Sequence, residues 1–335
     1  MRPLHEQPPL CLGETVVTST ERLVETNGVR LRVVDAGERG APVVVLAHGF
    51  PELAYSWRHQ IPALADAGYH VLAPDQRGYG GSSKPDAIED YNIVALCGDI
   101  AGLLDDAGAD RAVIVGHDWG AMVAWTLPLL HPDRVAGVVG MSVPPIPRSQ
   151  VPPTQAFRNI FGEHFFYMLY FQEPGVADAD LARDTATTIR RMLGGARLPD
   201  KDAAVRMAKP SREGLVDRMP EPDSLPDWIT GGEFDHYVAE FSRTGFTGGL
   251  NWYRCMDRNW ELTEQTPAAT ITAPSLFIVG TADLTLGFSP RDRATEVVTG
   301  EYEELMLDGA GHWVQQERPD EVNEALLKFL SGLEM

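Results

Sequence analysis

Short runs of apolar residues alternate along the chain with segments in which apolar residues recur at helical spacing. The runs in APVVVLAHGF, HVLAPD, AVIVG and VAGVVGMSV are continuous, which is typical of strands that are covered on both faces. Two further runs, SLFIVG and YEELMLD, follow much later, and the chain ends on the helical pattern PDEVNEALLKFL. Strands that alternate with helices predict an α/β fold with a mostly parallel central sheet flanked by helices.

Two other features frame this alternation. RLVETNGVRLRVVDAG places two alternating runs on either side of Asn27-Gly28, which predicts a β-hairpin. After Val143 no strand-like run appears until Ser275, and the stretch between them is helical, irregular and rich in proline. We therefore expect a core of residues 21–143 and 267–335, a mainly helical lid domain inserted over residues 144–266, and a loosely ordered lead-in over residues 1–20.

The charge balance limits the kinds of partner. The 28 basic and 48 acidic residues give a formal net charge of -20, which disfavours nucleic acids and anionic lipid surfaces because both need a basic protein surface. No apolar run approaches the ~20 residues of a membrane span, so we expect no membrane insertion. The scattered Cys11, Cys97 and Cys255 form no disulfide or metal-binding pattern, and the N-terminus lacks the apolar block of a signal peptide. Together these features predict a cytoplasmic protein.

The stretch GHDWG, residues 116–120, carries the first chemical signal. It connects an apolar run to a helical pattern, and its two glycines flank a central residue, which is the layout of a nucleophile elbow. Small neighbours let the strand and the helix approach while the central side chain, here Asp118, points into a cavity. The alternative is an ordinary strand–turn–helix connection in which Asp118 caps the helix.

Two more candidates follow the later strands. Asp283 comes three residues after Gly280, the end of SLFIVG, and His312 follows EELMLD in a glycine-flanked turn. The chain order nucleophile, acid, histidine is that of the elbow architecture. All three residues lie at carboxyl ends of parallel strands, where open α/β sheets place their sites. Asp308 and Asp292 are instead expected to be surface or turn residues.

The loop AHGFPE, residues 47–52, follows the first buried run and is a candidate oxyanion hole. In this architecture one donor is the backbone N–H of the residue after the nucleophile, here Trp119, and the second comes from this loop, for which we expect Phe50. Pro51 would fix the shape of the loop through a cis Phe50–Pro51 bond. A plain turn rich in glycine and proline is the alternative.

An aspartate at the elbow changes the chemistry that is expected. A carboxylate with a pKa of ~3.9 is already ionised at neutral pH and can displace a leaving group from a saturated carbon. The product is an ester of Asp118, which a water activated by His312 then hydrolyses at the aspartate carbonyl. Opening of an epoxide and loss of a halide both fit. An alkoxide leaving group also needs an acid within reach, and a tyrosine can serve.

The lid contains tyrosines, although helical spacing alone would assign them to apolar packing. Together with GHDWG, the motifs HGFPE, YSWRHQ, DQRGYGGSS, YFQEPG, NWYR and GHW make most of the chain resemble the soluble epoxide hydrolases of the α/β-hydrolase superfamily. That resemblance implies conversion of an epoxide and water to a vicinal diol. It also implies two lid tyrosines that donate to the epoxide oxygen, carried onto Tyr170 and Tyr253, whereas Tyr167 does not match the family position. The family acid is carried onto Asp283 and the base onto His312.

The remaining expectations concern the pocket and the partners. The histidines form no ligand cluster and no phosphate-binding glycine loop occurs, so no metal or other cofactor is expected. The partner is then a small-molecule epoxide, and the protein is a monomer or a homodimer. A haloalkane dehalogenase, which shares GHDWG, and a non-catalytic protein of this fold are the alternatives, whereas a serine esterase lacks its Gly-x-Ser-x-Gly motif. Neighbours of the substrate pocket are expected at His48, Pro51, His117 and Trp313.

Overall fold

A sheet of eight strands forms the centre of the computed structural model, which describes residues 19–195, 208–266, 268–287, 289 and 291–334. The strands are β1 (Thr20–Thr26), β2 (Val29–Ala36), β3 (Val43–Ala47), β4 (His70–Pro74), β5 (Ala112–His117), β6 (Val135–Met141), β7 (Ser275–Gly280) and β8 (Tyr302–Leu307). They lie in the order β1-β2-β4-β3-β5-β6-β7-β8. In this order, each pair of neighbouring strands from β4 onward is parallel. This confirms the predicted mostly parallel sheet. Most of the expected lead-in, residues 1–18 with Cys11, lies outside the described residues.

The first two strands form the antiparallel hairpin that the sequence predicts. Asn27 and Gly28 make its two-residue turn with φ angles of 44° and 77°. Both residue types tolerate the positive φ that such a turn requires. By contrast, β3, β5 and β6 are buried at every position, because helices cover the sheet on both faces.

Helices pack against the two faces of the sheet in separate hydrophobic clusters. One cluster contains Leu96 and Val123, from the second and third helices, and the other contains Leu64 and Leu326, from the first and last helices. The helices are α1 (Gln60–Asp66), α2 (Ile93–Ala107), α3 (Trp119–Leu130), α4 (Pro153–Phe161), α5 (Tyr167–Tyr170), α6 (Val176–Ala182), α7 (Thr185–Gly195), α8 (Leu215–Arg218), α9 (Gly231–Thr244), α10 (Thr247–Arg254), α11 (Met256–Leu262), α12 (Val314–Glu317) and α13 (Pro319–Ser331). Short 3-10 turns span Ala54–Trp57, Ile88–Tyr91, Pro132–Arg134, Leu284–Gly287 and Arg291–Glu296.

A long segment of the chain separates two strands that are neighbours in the sheet. β6 and β7 are neighbours in the sheet although β6 ends at Met141 and β7 begins at Ser275. Helices α4 to α11 lie between them and form the lid, and the described residues between 142 and 266 contain no strand. Within the described parts of the chain, no helix is long and apolar enough to cross a membrane.

The lid lies over the carboxyl edge of the sheet. Phe50, in the loop after β3, contacts Phe171 and Tyr253 of the lid with ring centroids 5.9 Å and 5.5 Å away. Trp119, at the start of α3, contacts Tyr253 at 5.1 Å. Phe171 and Tyr253 also contact each other at 5.0 Å. Aromatic rings therefore enclose the sheet edge at which the candidate site residues emerge, and they make its surroundings apolar.

Candidate active site

Asp118 lies in the turn between β5 and α3, with φ 52° and ψ -117°. A positive φ is costly for a residue with a side chain, so the surrounding structure must hold this turn in place. A Cβ atom on Gly116 would lie 2.0 Å from the Gly120 carbonyl oxygen, and one on Gly120 would lie 1.9 Å from that of Ala47. Both positions therefore require glycine. In the described structure the Asp118 side chain makes no capping hydrogen bond to α3, which disfavours the simple helix cap.

The loop after β3 holds one carboxylate oxygen of Asp118. The backbone N–H of Phe50 donates to Oδ1 of Asp118 at 2.8 Å. The loop can come this close because Gly49 has no side chain: a Cβ atom there would lie 2.4 Å from the Asp118 Cβ. The Phe50–Pro51 peptide bond is cis. Trp119 is the first residue of α3, so its N–H is one of the amides for which a helix provides no internal partner.

His312 faces both Asp118 and Asp283. Its Nε2 lies 3.6 Å from Oδ2 of Asp118, and its Nδ1 lies 3.1 Å from both carboxylate oxygens of Asp283. Burial disfavours the charged imidazole, but the two carboxylates outweigh burial and raise the pKa of His312 well above the usual 6.5. The two carboxylates therefore favour the protonated form of the imidazole.

The loops that carry Asp283 and His312 are bonded to the end of β6. Burial works against a charged Asp283, but His312 and the Thr285 N–H, which donates at 2.8 Å, lower the pKa of this carboxyl. Ser142, directly after β6, donates its hydroxyl to the His312 carbonyl at 2.7 Å. The Ser142 carbonyl in turn accepts from the Thr285 hydroxyl at 2.8 Å. These bonds fix the acid and the histidine relative to each other at the carboxyl edge of the sheet.

Two tyrosines of the lid lie near enough to Asp118 for its charge to raise their pKa values, and one of them is not the residue expected from the sequence. Burial, and then the charge of Asp118, raise the pKa values of both Tyr167 and Tyr253 well above 10. The rings of these two residues lie 6.0 Å apart. Tyr170 instead donates its hydroxyl to Asp180 at 3.3 Å, and burial and that carboxylate raise its pKa to about 12. The expectation for Tyr170 is thus corrected to Tyr167.

Tyr167 and Tyr170 have different surroundings because they lie at opposite ends of α5. This helix has 4 residues and runs from one tyrosine to the other. Its first and last side chains therefore differ by about 4.5 Å along the helix axis and by about 60° around it. Tyr167 packs on Phe171 at 5.5 Å, next to Tyr253, whereas Tyr170 packs on Phe165 at 5.2 Å. A shared motif cannot reveal which of two such close residues faces the core.

The four expected pocket neighbours are all buried, but their contacts differ. His48 is fully buried, donates from Nδ1 to the Gly49 carbonyl and accepts the Gln76 N–H at 3.0 Å. Burial lowers its pKa, so it is a neutral structural residue beneath the site and is not a pocket wall. His117 is equally buried and bonded at both ring nitrogens, which corrects its expected place as well. Pro51 is also buried, and so is Trp313, whose ring lies 4.8 Å from that of His312.

Glu52 is the neighbour that sequence reasoning missed, although it ends the motif HGFPE. Its Oε2 lies 2.6 Å from Nδ1 of His117 and accepts the Gly49 N–H at 2.8 Å. Burial would raise the pKa of this carboxyl, but His117 and these bonds lower it to about 2. Nε2 of His117 in turn donates to the His312 carbonyl at 2.8 Å. The buried Glu52–His117 pair therefore supports the backbone of His312.

The arrangement combines three chemical capabilities. The Asp118 carboxylate lies between the Phe50 N–H and the imidazole of His312, and two phenols of the lid lie near it. Such a set can attack carbon, protonate an oxygen and later activate a water. Within the described ranges, no group of three or more histidine, cysteine, aspartate and glutamate side chains could hold a metal ion.

Known proteins share both the sequence and the architecture. Residues 42–319 match the family described as alpha/beta hydrolase fold. The chain is 69% identical over 317 residues to Epoxide hydrolase A of Mycobacterium tuberculosis. The matched region covers 94% of this chain and 98% of that protein. The crystal structure of Epoxide Hydrolase A from Mycobacterium thermoresistibile matches with a TM-score of 0.93 at 68% identity, over 95% of this chain and 100% of that one. The structure of potato epoxide hydrolase I matches with a TM-score of 0.85 at 34% identity, over 94% of this chain and 99% of that one.

Proposed function

The chain belongs to the alpha/beta hydrolase fold family and, within it, to the epoxide hydrolases, and we propose that it opens its substrate through a covalent ester on Asp118. The observation that carries this proposal is the different surroundings of the two Asp118 oxygens. Oδ1 accepts the Phe50 N–H, while Oδ2 faces His312 at 3.6 Å. We assign the attack on carbon to Oδ2. Oδ1 then becomes the carbonyl oxygen, whose later negative charge the Phe50 loop stabilises.

In the first step, Oδ2 of Asp118 forms a bond to an epoxide carbon as the ring carbon–oxygen bond breaks. The epoxide oxygen keeps the electron pair of that bond and takes a proton from Tyr167 or Tyr253, while the other phenol donates a hydrogen bond. Both hydroxyls are protonated at rest, because burial and the nearby carboxylate raise their pKa values. Tyr170 has no part in this step because its hydroxyl is bonded to Asp180.

Formation of the ester removes the negative charge that His312 faces. With Asp118 neutral, one of the causes that raise the pKa of His312 is gone, so the imidazole can release its proton. That proton replaces the one that the tyrosine lost, and His312 becomes a neutral base. The charge of Asp118 thereby determines when the base becomes available.

In the second step, neutral His312 takes a proton from a water molecule as the water oxygen attacks Cγ of Asp118. Negative charge develops on Oδ1, where the Phe50 N–H donates, and we propose the Trp119 N–H as the second donor. The bond between Cγ and Oδ2 then breaks, and the alkoxide leaves as the diol with the proton from His312. The remaining carboxylic acid returns its proton to the imidazole, which Asp283 orients, and the resting pair is restored.

The lid contributes to this mechanism as a separate unit of the chain. We propose that residues 144–266 form a lid domain, because helices between these bounds carry both phenols. Its rings at Phe171 and Tyr253 pack on Phe50 and make the surroundings of the nucleophile apolar. The substrate that fits these surroundings is a small-molecule epoxide with apolar substituents.

Trapping the ester tests this proposal. His312→Gln should form the ester but hydrolyse it slowly, so the mass of the protein should increase by that of the whole epoxide, on the peptide that contains Asp118. A haloalkane dehalogenase, the main alternative, would gain only the alkyl group of a haloalkane and release halide. If His312→Gln forms no adduct on Asp118 with an epoxide that the wild type consumes, the ester mechanism is wrong.

A further inference from the structure

A buried chain of hydrogen bonds continues from His312 toward the lid. The His312 carbonyl accepts from Nε2 of His117, whose Nδ1 pairs with Glu52. The other carboxylate oxygen of Glu52 accepts from the side-chain amides of Gln315 at 2.8 Å and Gln316 at 3.3 Å. Both glutamines belong to α12, which follows His312 closely. The segment that carries the proposed base is therefore held at the His312 carbonyl and again at Gln315 and Gln316, about one helical turn later.

Gln316 is the residue at which this chain reaches the lid. Its amide oxygen accepts from Nη1 of Arg58 at 2.6 Å and from the Tyr237 hydroxyl at 3.2 Å. Tyr237 belongs to α9 and also shares a hydrogen bond with the Ser56 hydroxyl at 2.9 Å. Gln316 is 1% exposed and Tyr237 is 0% exposed. Loss of either partner would therefore remove one of the two hydrogen bonds of a buried polar atom, leaving Gln316 with Arg58 alone or Tyr237 with Ser56 alone.

A second contact fixes the same lid helix at its first turn. Nε of Arg58 donates to Glu233, which also accepts the N–H and the hydroxyl of Thr230 in a capping box at the start of α9. The Arg58 and Glu233 side chains are 5% and 18% exposed, so solvent screens this ion pair only weakly. Arg58 thus contacts Gln316 and the first turn of α9 at the same time.

We propose that Gln316 is a positioning residue that couples the placement of lid helix α9 to the loop that carries His312. The proposal rests on the two-step reaction described above, because it assigns the coupling to hydrolysis of the Asp118 ester. Ester formation uses Asp118 and the lid phenols but not the base. Hydrolysis needs Nε2 of His312 at the right distance from a water molecule and from Cγ, and a displacement of about 1 Å can cost about 100-fold in rate.

Gln316→Met tests the coupling, because methionine has a similar length and lacks both the amide donor and the amide acceptor. With styrene oxide in a single turnover, we expect ester formation at nearly the wild-type rate and ester hydrolysis slowed by about tenfold or more. Rapid quenching followed by intact-mass spectrometry measures both rates, since the ester carries the mass of the epoxide. A packing defect alone would lower the unfolding temperature without changing the ratio of the two rates.

Tyr237→Phe is the milder variant, because it keeps the ring and removes only the hydroxyl that reaches Gln316. We expect the same shift toward slow hydrolysis, smaller than that of Gln316→Met. Tyr91→Phe is the matched control: Tyr91 is 1% exposed, and its hydroxyl donates to the Pro85 carbonyl at 2.7 Å, away from this chain of bonds. Its ratio of the two rates should equal that of the wild type.

Equal slowing of both steps in Gln316→Met and Tyr237→Phe, or no change in either step, would overturn the coupling. If Gln316→Met does not fold, the ratio measured for Tyr237→Phe decides alone. His312→Gln separates this result from a failure of the mechanism. If the ester accumulates in His312→Gln but not in Gln316→Met or Tyr237→Phe, only the coupling is refuted. If no ester forms in His312→Gln, the ester mechanism is refuted and the coupling with it.

Discussion

Nε2 of His312 lies 3.6 Å from Oδ2 of Asp118, the oxygen that does not accept the Phe50 N–H. The two side chains therefore face each other at rest, and we propose that they become base and electrophile after the ester has formed. Asp283, 3.1 Å from the other nitrogen of the imidazole, keeps its own charge throughout. His312 thus loses one of its two negative neighbours at the moment when it must act as a base.

The first prediction concerns the protonation of His312. Its pKa in the free protein should lie well above 6.5, because Asp283 and Asp118 outweigh burial. Asp118→Ala removes one negative charge, which destabilises the imidazolium, so the pKa should be lower in that variant. Titration of the imidazole by NMR measures both values. A wild-type pKa below 6.5, or a pKa that rises in Asp118→Ala, contradicts the proposed charge relation.

The second prediction distinguishes the tyrosines of α5. Tyr167→Phe and Tyr253→Phe should each slow ester formation by about 10²–10³, the usual cost of losing one donor to a developing charge. Tyr170→Phe should react at nearly the wild-type rate, because its hydroxyl is bonded to Asp180. Single-turnover kinetics with an epoxide measure the first step for all three variants, and each variant keeps its ring. A slow Tyr170→Phe beside a normal Tyr167→Phe would restore the assignment made from the sequence.

The third prediction concerns the acid. Asp283→Asn should slow ester hydrolysis by a factor on the order of 10²–10⁴ and ester formation far less, because the imidazolium loses its orienting carboxylate. The ester should therefore accumulate during turnover and be visible in the intact mass. Asp308→Asn is the control, since that exposed carboxylate accepts only from the Thr281 hydroxyl among the bonds found in the described residues. Loss of the first step in Asp283→Asn would count against the proposed role.

The fourth prediction concerns the turn that presents the nucleophile. Gly116→Ala should lower the free energy of unfolding by about 3 kcal/mol or more, because its methyl group would lie 2.0 Å from the backbone oxygen of Gly120. Gly232→Ala is the matched control, since a Cβ atom there meets nothing within 4 Å and alanine favours a helix. Urea unfolding of both variants measures the difference. A Gly116→Ala protein as stable as the wild type would mean that the turn does not need glycine.

The sequence could predict those parts of the site that depend on chain order and local geometry. The grouping of Asp118, Asp283 and His312 follows from the sequence because the carboxyl ends of parallel strands meet at one edge, and a glycine-flanked turn marks the first of them. The choice between Tyr167 and Tyr170 depends on how one short helix packs on the core, and no periodic pattern records that packing. Glu52 was missed for the same reason: its partners His117, Gln315 and Gln316 are distant in the chain and meet it only in the folded protein.

The most direct test of the mechanism is a single turnover in water labelled with oxygen-18, with the protein in excess over the epoxide. If Asp118 attacks carbon, the labelled water attacks Cγ, and the unlabelled Oδ2 leaves in the diol. The label should then appear in the peptide that contains Asp118, and the diol should carry none. Label that enters the diol directly, with Asp118 unlabelled, would mean that water opens the epoxide and that the carboxylate acts only as a base.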